Sequence, residues 1–296
     1  MFTQFFGSYL LNRQIVSADN LKKAIELKSS TRVKLGVLAI NAGYMTAKQV
    51  DDVHRMQATV DKRIGDIAVE MGYLTAEQVD ELLSTQKTGC LVLGQTLVDM
   101  GCLTNEEFEN ALNGYKTENQ LEDEDFVTEN ANKSGAVIGS FYKIDEKKTK
   151  NPELIAQYID ILFKNLIRFI GDDFTPLSDG VVVDGNTAVT QAIGGGFEAV
   201  TSVIADDKAL VEFASRYAEE KLTENDEYTK DVVSEFLNLS NGLFTVNVSN
   251  NIGKELSLAP QETKTAAAVK AIKAKYALMI PVAFSFGTVI FTIAEI

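Results

Sequence analysis

Apolar residues in the second half of the chain follow two periods. Leu154, Ile155, Tyr158, Ile159, Leu162, Phe163, Leu166, Ile167 and Phe169 recur at helical spacing, and Pro152 suits a first turn, so the pattern predicts an amphipathic helix from Pro152 to Ile170. Gly180 to Val183, Ala188 to Ile193 and Phe197 to Ile204 look like strands, separated by Asp184-Gly185-Asn186 and by Gly194-Gly195-Gly196. The triple glycine lacks the Gly-Lys-Ser/Thr of a phosphate loop and reads as a turn or bulge. A helix is expected from about Asp206 to Lys221. A longer one is expected to start at the cap Thr223-Glu224-Asn225-Asp226 and reach about Val248. On it Val232, Val233, Phe236, Leu237, Leu243 and Phe244 are expected to form the buried stripe, with Asp231, Glu235 and Asn238 opposite. Tyr276 to Ala294 carries no charge, but Pro281, Ser285, Gly287 and Thr288 interrupt it and its β-formers alternate. It is expected to be two buried strands joined at Phe286-Gly287-Thr288, not a membrane span.

The first half repeats itself. Gly7, Gly36, Gly65 and Gly94 recur at a 29-residue step, each after a large apolar residue, and Ser17, Thr46, Thr75 and Thr104 follow ten positions later as helix N-caps. Gly43, Gly72 and Gly101 suit left-handed helix ends, whereas the first copy has Gln14 at that place. After each cap come Leu21, Val50, Val79 or Phe108, then Ala24, Val53, Leu82 or Ala111 three positions on, which is one helical face. Each unit is therefore helix, tight turn, capped helix. Repeats of this kind bury faces on one another and leave an extended surface for partners.

Composition narrows the classes. With 296 residues, 45% hydrophobic and 24% charged, the chain suits two globular domains. The start, Met1 to Leu11, has no basic segment before its apolar residues, so a signal peptide is not expected. Cys90, Cys102 and the lone His54 have no metal-site spacing, and a cytoplasmic chain without a cofactor of its own is expected. The net charge is -14, of which residues 1 to 120 supply only -3 (12 Lys+Arg against 15 Asp+Glu). Nucleic acid is thereby disfavoured, and the second half calls for a partner offering basic groups or a metal. Glu118 to Asn151, with its acidic run Glu122 to Asp125 and an apolar island at Ala136 to Tyr142, is expected to be a linker.

Two resemblances follow from these residues. Asp231-x-x-x-Glu235-x-x-Asn238, with Pro260 after 21 intervening residues, resembles the signature of the CheC, CheX and FliY chemotaxis phosphatases, and the order of elements from 152 to 296 agrees with that family. No second signature stands on the first helix, where Lys164 and Asn165 lie without a Glu three residues before the Asn; this is similar to the CheX branch. The resemblance implies a protein aspartyl-phosphate phosphatase acting on a phosphorylated CheY-like receiver. Asn238 would orient the attacking water, Glu235 would dock the receiver's Lys, Asp231 would touch the partner, and Mg2+ would sit on the receiver. A homodimer is implied as well. The repeats resemble the amino-terminal helical domain of type II secretion and pilus ATPases, some of which bind cyclic di-GMP. Arg63 and Gly65 of the third copy come nearest that family's motif, with Phe5, Lys34 and Val92 at the equivalent of Arg63 elsewhere.

The expected fold class is thus two domains: an all-α helical repeat domain (1-117), a linker (118-151), and an α/β (α+β) CheX-like domain (152-296) with long helices on a mostly antiparallel sheet. Two functions compete. One is the phosphatase; the other is a non-catalytic binding protein of the same fold, coupled to cyclic di-GMP sensing or to a flagellar or secretion assembly.

Overall fold

The structure is a computed structural model that describes residues 2–84, 89–122, 125, 131–178 and 187–296. The strand-like segment 180–183, the turn 184–186 and residues 123 and 124 of the acidic run lie outside the described residues. The chain divides into two compact units, 2–130 and 131–296.

In the first unit, four helical hairpins follow one another: α1 (Phe2–Asn12) with α2 (Ala18–Leu27), α3 (Leu35–Asn41) with α4 (Ala47–Gln57), α5 (Ile64–Glu70) with α6 (Ala76–Ser84), and α7 (Gly89–Asp99) with α8 (Asn105–Glu118). Each second helix begins at an expected cap. The hydroxyls of Ser17, Thr46, Thr75 and Thr104 accept from the backbone N–H of Asn20, Gln49, Gln78 and Glu107. The last three partners reach back to the cap's own N–H, which satisfies two end groups at once. The left-handed residues close the first helices, with φ of +69° at Gly43, +71° at Gly72 and +68° at Gly101. Gln14 makes the same turn at φ +56°, so the first copy departs in sequence but not in backbone.

The hairpins do not stack in chain order. α1 and α2 pack on α7, α1 also on α8, α3 on α7 and α8, α4 on α8 and α5, and α3 on α6, so the spatial order of hairpins is first, fourth, second, third. Tyr115 Oη donates to the carbonyl of Phe2 at 2.8 Å, and Lys34 Nζ meets Asp99 Oδ1 at 2.7 Å. The hairpins are thus arranged out of chain order, with Phe6 packed against Phe108 and Tyr115.

The second unit opens with α9 (Ala131–Phe141), which lies in the stretch expected to be a linker and packs on α10 (Pro152–Phe169). Its Val137 and Ile138 are buried. There follow β1 (Phe174–Pro176), β2 (Thr187–Gly195), β3 (Ala199–Ala205), α11 (Asp207–Ala218), α12 (Glu227–Ile252), β4 (Leu256–Leu258), β5 (Glu262–Thr265), α13 (Ala266–Lys270), β6 (Tyr276–Phe284) and β7 (Gly287–Glu295). The strands form one sheet in the order β1-β6-β7-β3-β2-β4, with β5 also on β2, and every described pairing is antiparallel. The uncharged run is the β6–β7 hairpin, but its turn is Ser285-Phe286: Phe284 pairs with Gly287, and Gly287 and Thr288 already belong to β7.

Because side chains alternate across a strand, Ala188, Ile204 and Ile290 share one face, which α13 covers through Ala266 and Val269. The other face holds Val189, Gln191, Val203 and Phe291 and meets α12, with Phe213 and Phe236 packed about Phe291. Among the described residues, no helix is long and apolar enough to cross a membrane.

Candidate functional site

Helix α12 carries the predicted site. Asp226 caps it, accepting from the Thr229 N–H at 2.9 Å, which also holds the Asp226 carboxyl below its usual range. Gly253 ends it at φ +71°. Over its 26 residues the inward positions are Val232, Val233, Phe236, Leu237, Ser240, Asn241, Phe244 and Val248. Leu243, expected in the buried stripe, is 44% exposed. The inward places beside it belong to Ser240 and Asn241, because the 3.6-residue period continues from Phe236 and Leu237 regardless of polarity.

Asp231, Glu235 and Asn238 are exposed on the outer side. Glu235 and Asn238 stand about 4.5 Å apart along the helix axis. Among the described residues the Glu235 carboxylate makes no ion pair or hydrogen bond. Its charge is felt by Tyr217 on α11, whose phenol is raised first by burial and then by Glu235. Among the described residues the Asn238 side chain makes one hydrogen bond, Gln191 Nε2 donating to its Oδ1 at 2.8 Å.

Gln191 lies on β2 and is 2% exposed. Its Nε2 also donates to the carbonyl of Ala259 at 2.9 Å, and its Oε1 accepts from Asn241 Nδ2 at 2.7 Å. Asn241 Nδ2 donates as well to Thr201 Oγ1 at 2.8 Å. Ala259 is anchored to β2 by its N–H on the Ala192 carbonyl, so Pro260, next in the chain, is brought beside the residue that holds Asn238. Sequence reasoning missed Gln191 and Asn241. The available signal was a Gln between Val189 and Ile193 at an inward place of an alternating strand.

Asn165 on α10 is buried and donates to Ser240 Oγ at 3.2 Å, so it is part of the helix pairing and is not displayed outward. Arg63 and Gly65 belong to the other unit. Arg63 is exposed at the start of α5, while Gly65 is buried, and a Cβ there would meet Val79 Cγ1 at 3.1 Å. Lys34, at the place equivalent to Arg63, is engaged with Asp99. A groove of about 990 Å³ lies between α9, α10 and the end of α12, lined by Gln157, Lys164, Asn247 and Asn251 among others, and it includes neither Glu235 nor Asn238. Glu235 and Asn238 lie on an exposed surface of α12.

No protein-family model matches this chain, and no curated protein matches it. Solved structures do, over about half of it. CheX from Vibrio vulnificus is 16% identical, covering 48% of this chain and 98% of that one at a TM-score of 0.40. The CheX-CheY-BeF3-Mg2+ complex from Borrelia burgdorferi is 18% identical, covering 48% and 96% at 0.40. FliY from Thermotoga maritima is 13% identical, covering 51% and 90% at 0.38.

Proposed function

We propose that the 131–296 unit is a phosphatase for the aspartyl phosphate of a CheY-like receiver domain. The observation that carries this is the pairing on one exposed face of α12 of a carboxylate engaged by no described residue, Glu235, with an amide oriented by one buried donor, Asn238. An amide both donates and accepts, so Asn238 retains capacity to fix a water after Gln191 has taken one lone pair. The attacking water forms a bond to phosphorus as the acyl P–O bond breaks; the receiver's aspartate leaves as carboxylate, and the water's proton ends on inorganic phosphate. Mg2+ and the lysine that steady the charge belong to the receiver, so this chain supplies only orientation. Glu235 takes the receiver's lysine, and Asp231, one turn before it, adds to the acidic contact.

The test is decay of a phosphorylated CheY-like receiver with and without the full chain. Asn238→Ala should lower the acceleration about 100-fold, while Glu235→Ala should raise the concentration needed for half-maximal effect. Receiver binding without any acceleration would replace this reading with that of a binding protein. Acceleration unaffected by Asn238→Ala would remove Asn238 from the chemistry.

A further inference from the structure

We infer that Gln191 is a positioning residue that fixes which end of the Asn238 amide faces the partner, turning Oδ1 toward the sheet and Nδ2 outward. This rests on the reading of Asn238 as the water-orienting group, and it names what sets that group's orientation.

The direction follows from a group whose role cannot be exchanged. The Ala259 carbonyl can only accept, so the atom of Gln191 that reaches it at 2.9 Å is the donating Nε2. With Nε2 on Ala259, the Gln191 Oε1 must accept, and Asn241 Nδ2 donates to it and to Thr201 Oγ1, which itself lies 3.2 Å from the backbone carbonyl of Gln191. The Ala259 carbonyl thereby assigns the Gln191 amide, and the Asn241 contact is consistent with it. One Nε2 hydrogen goes to Ala259, leaving the second for Asn238 at 2.8 Å, and the atom of Asn238 that receives it must be Oδ1. Turning Asn238 over would set two NH2 groups against each other.

A glutamine this deeply buried is tolerated only when its polar atoms are paired, and here both donors are used and Oε1 is engaged. The outward-facing group is then an NH2, whose two hydrogens suit a water oxygen or a phosphoryl oxygen.

The test uses the full chain with Gln191→Met, of similar length and without hydrogen-bonding atoms, and Gln191→Glu, of the same shape but accepting only when ionised. Side-chain amide resonances in proton–nitrogen spectra are assigned for Asn238 by their loss in Asn238→Ala. Either Gln191 variant should shift the Asn238 pair while leaving the Asn165 pair, which contacts Ser240, in place. An unmoved Asn238 pair in both variants would overturn the inference, whether or not any receiver is dephosphorylated.

In kinetics, Gln191→Met should lower kcat about tenfold or more with KM for the receiver unchanged, because the Glu235 contact is untouched. It should add nothing in an Asn238→Ala background. A further loss on top of Asn238→Ala, or a raised KM with kcat intact, would mark Gln191 as merely structural. If the wild-type chain accelerates no receiver's decay, the proposed function falls while the spectra still decide for or against the Gln191–Asn238 coupling.

Discussion

Substituting the repeat glycines by alanine should produce a graded loss of stability whose order is set by local geometry. A Cβ added at Gly94 would lie 2.1 Å from Phe108 Cε2, at Gly36 2.6 Å from Val50 Cγ1, and at Gly65 3.1 Å from Val79 Cγ1. Phe108 is fully buried, so its ring would have to retreat by more than an ångström through packed surroundings. Overpacking of that kind costs about 1 to 3 kcal/mol. Against it stands the gain of about 1 kcal/mol from replacing glycine inside a helix. Gly94→Ala should therefore lose up to about 2 kcal/mol net, the largest loss of the three because its contact is the tightest. Gly36→Ala should fall less, since Val50 is buried but needs to yield under an ångström. Gly65→Ala should be close to neutral, because Val79 is only half-buried and has room to give. Denaturant unfolding followed by signals from the 2–130 unit, such as amide exchange of α7 and α8, gives the comparison without assuming a single transition for the whole chain. Gly94→Ala no less stable than Gly65→Ala, or Gly65→Ala as the worst of the three, would refute this account of why glycine recurs every 29 residues.

Other expectations are simpler. Burial pushes the Cys90 thiol up to about 12, so a disulfide reagent at pH 8 should modify half-buried Cys102 in the native chain and Cys90 only on unfolding; two equally fast thiols would contradict its burial. Because that value is raised in the folded state, its contribution is fully present below the ordinary 9.0 and is lost as pH climbs from there through 12, which a series of alkaline unfolding curves would register. Thr104→Ala removes one side of the Thr104–Glu107 capping box and should cost about 1 kcal/mol in urea unfolding, an effect absent if α8 does not begin there.

The legible parts of this molecule were those governed by local chemistry. Hydroxyl caps, left-handed glycines and the alternation of the β6–β7 hairpin act within a few residues, and the sequence displays them directly. Gln14 was opaque because a non-glycine residue with positive φ is held there by its surroundings and not by preference. The outer face of α12 was readable from its spacing. Its inner face was misjudged at Leu243 because hydrophobicity suggested an inward residue where the helix instead buries Ser240 and Asn241. Those two, with Gln191, form contacts between residues 40 to 75 apart in the chain, and such pairings leave no periodic trace. The order of the hairpins was hidden for the same reason, since four similar units can be arranged in several ways that satisfy the same pattern.

That arrangement bears on how the chain is made. The fourth hairpin sits between the first and the second, and β7 sits between β6 and β3. In each unit a piece synthesised late fills a central place, so neither unit can complete its packing as it leaves the ribosome until nearly all of it has been made. Until then α1 lacks its main neighbours, and one edge of β3, in a β2–β3 pair rich in β-branched residues, is unpaired. Chain-terminating lesions near residue 100 or near residue 287 should therefore yield aggregates and not shortened folded products.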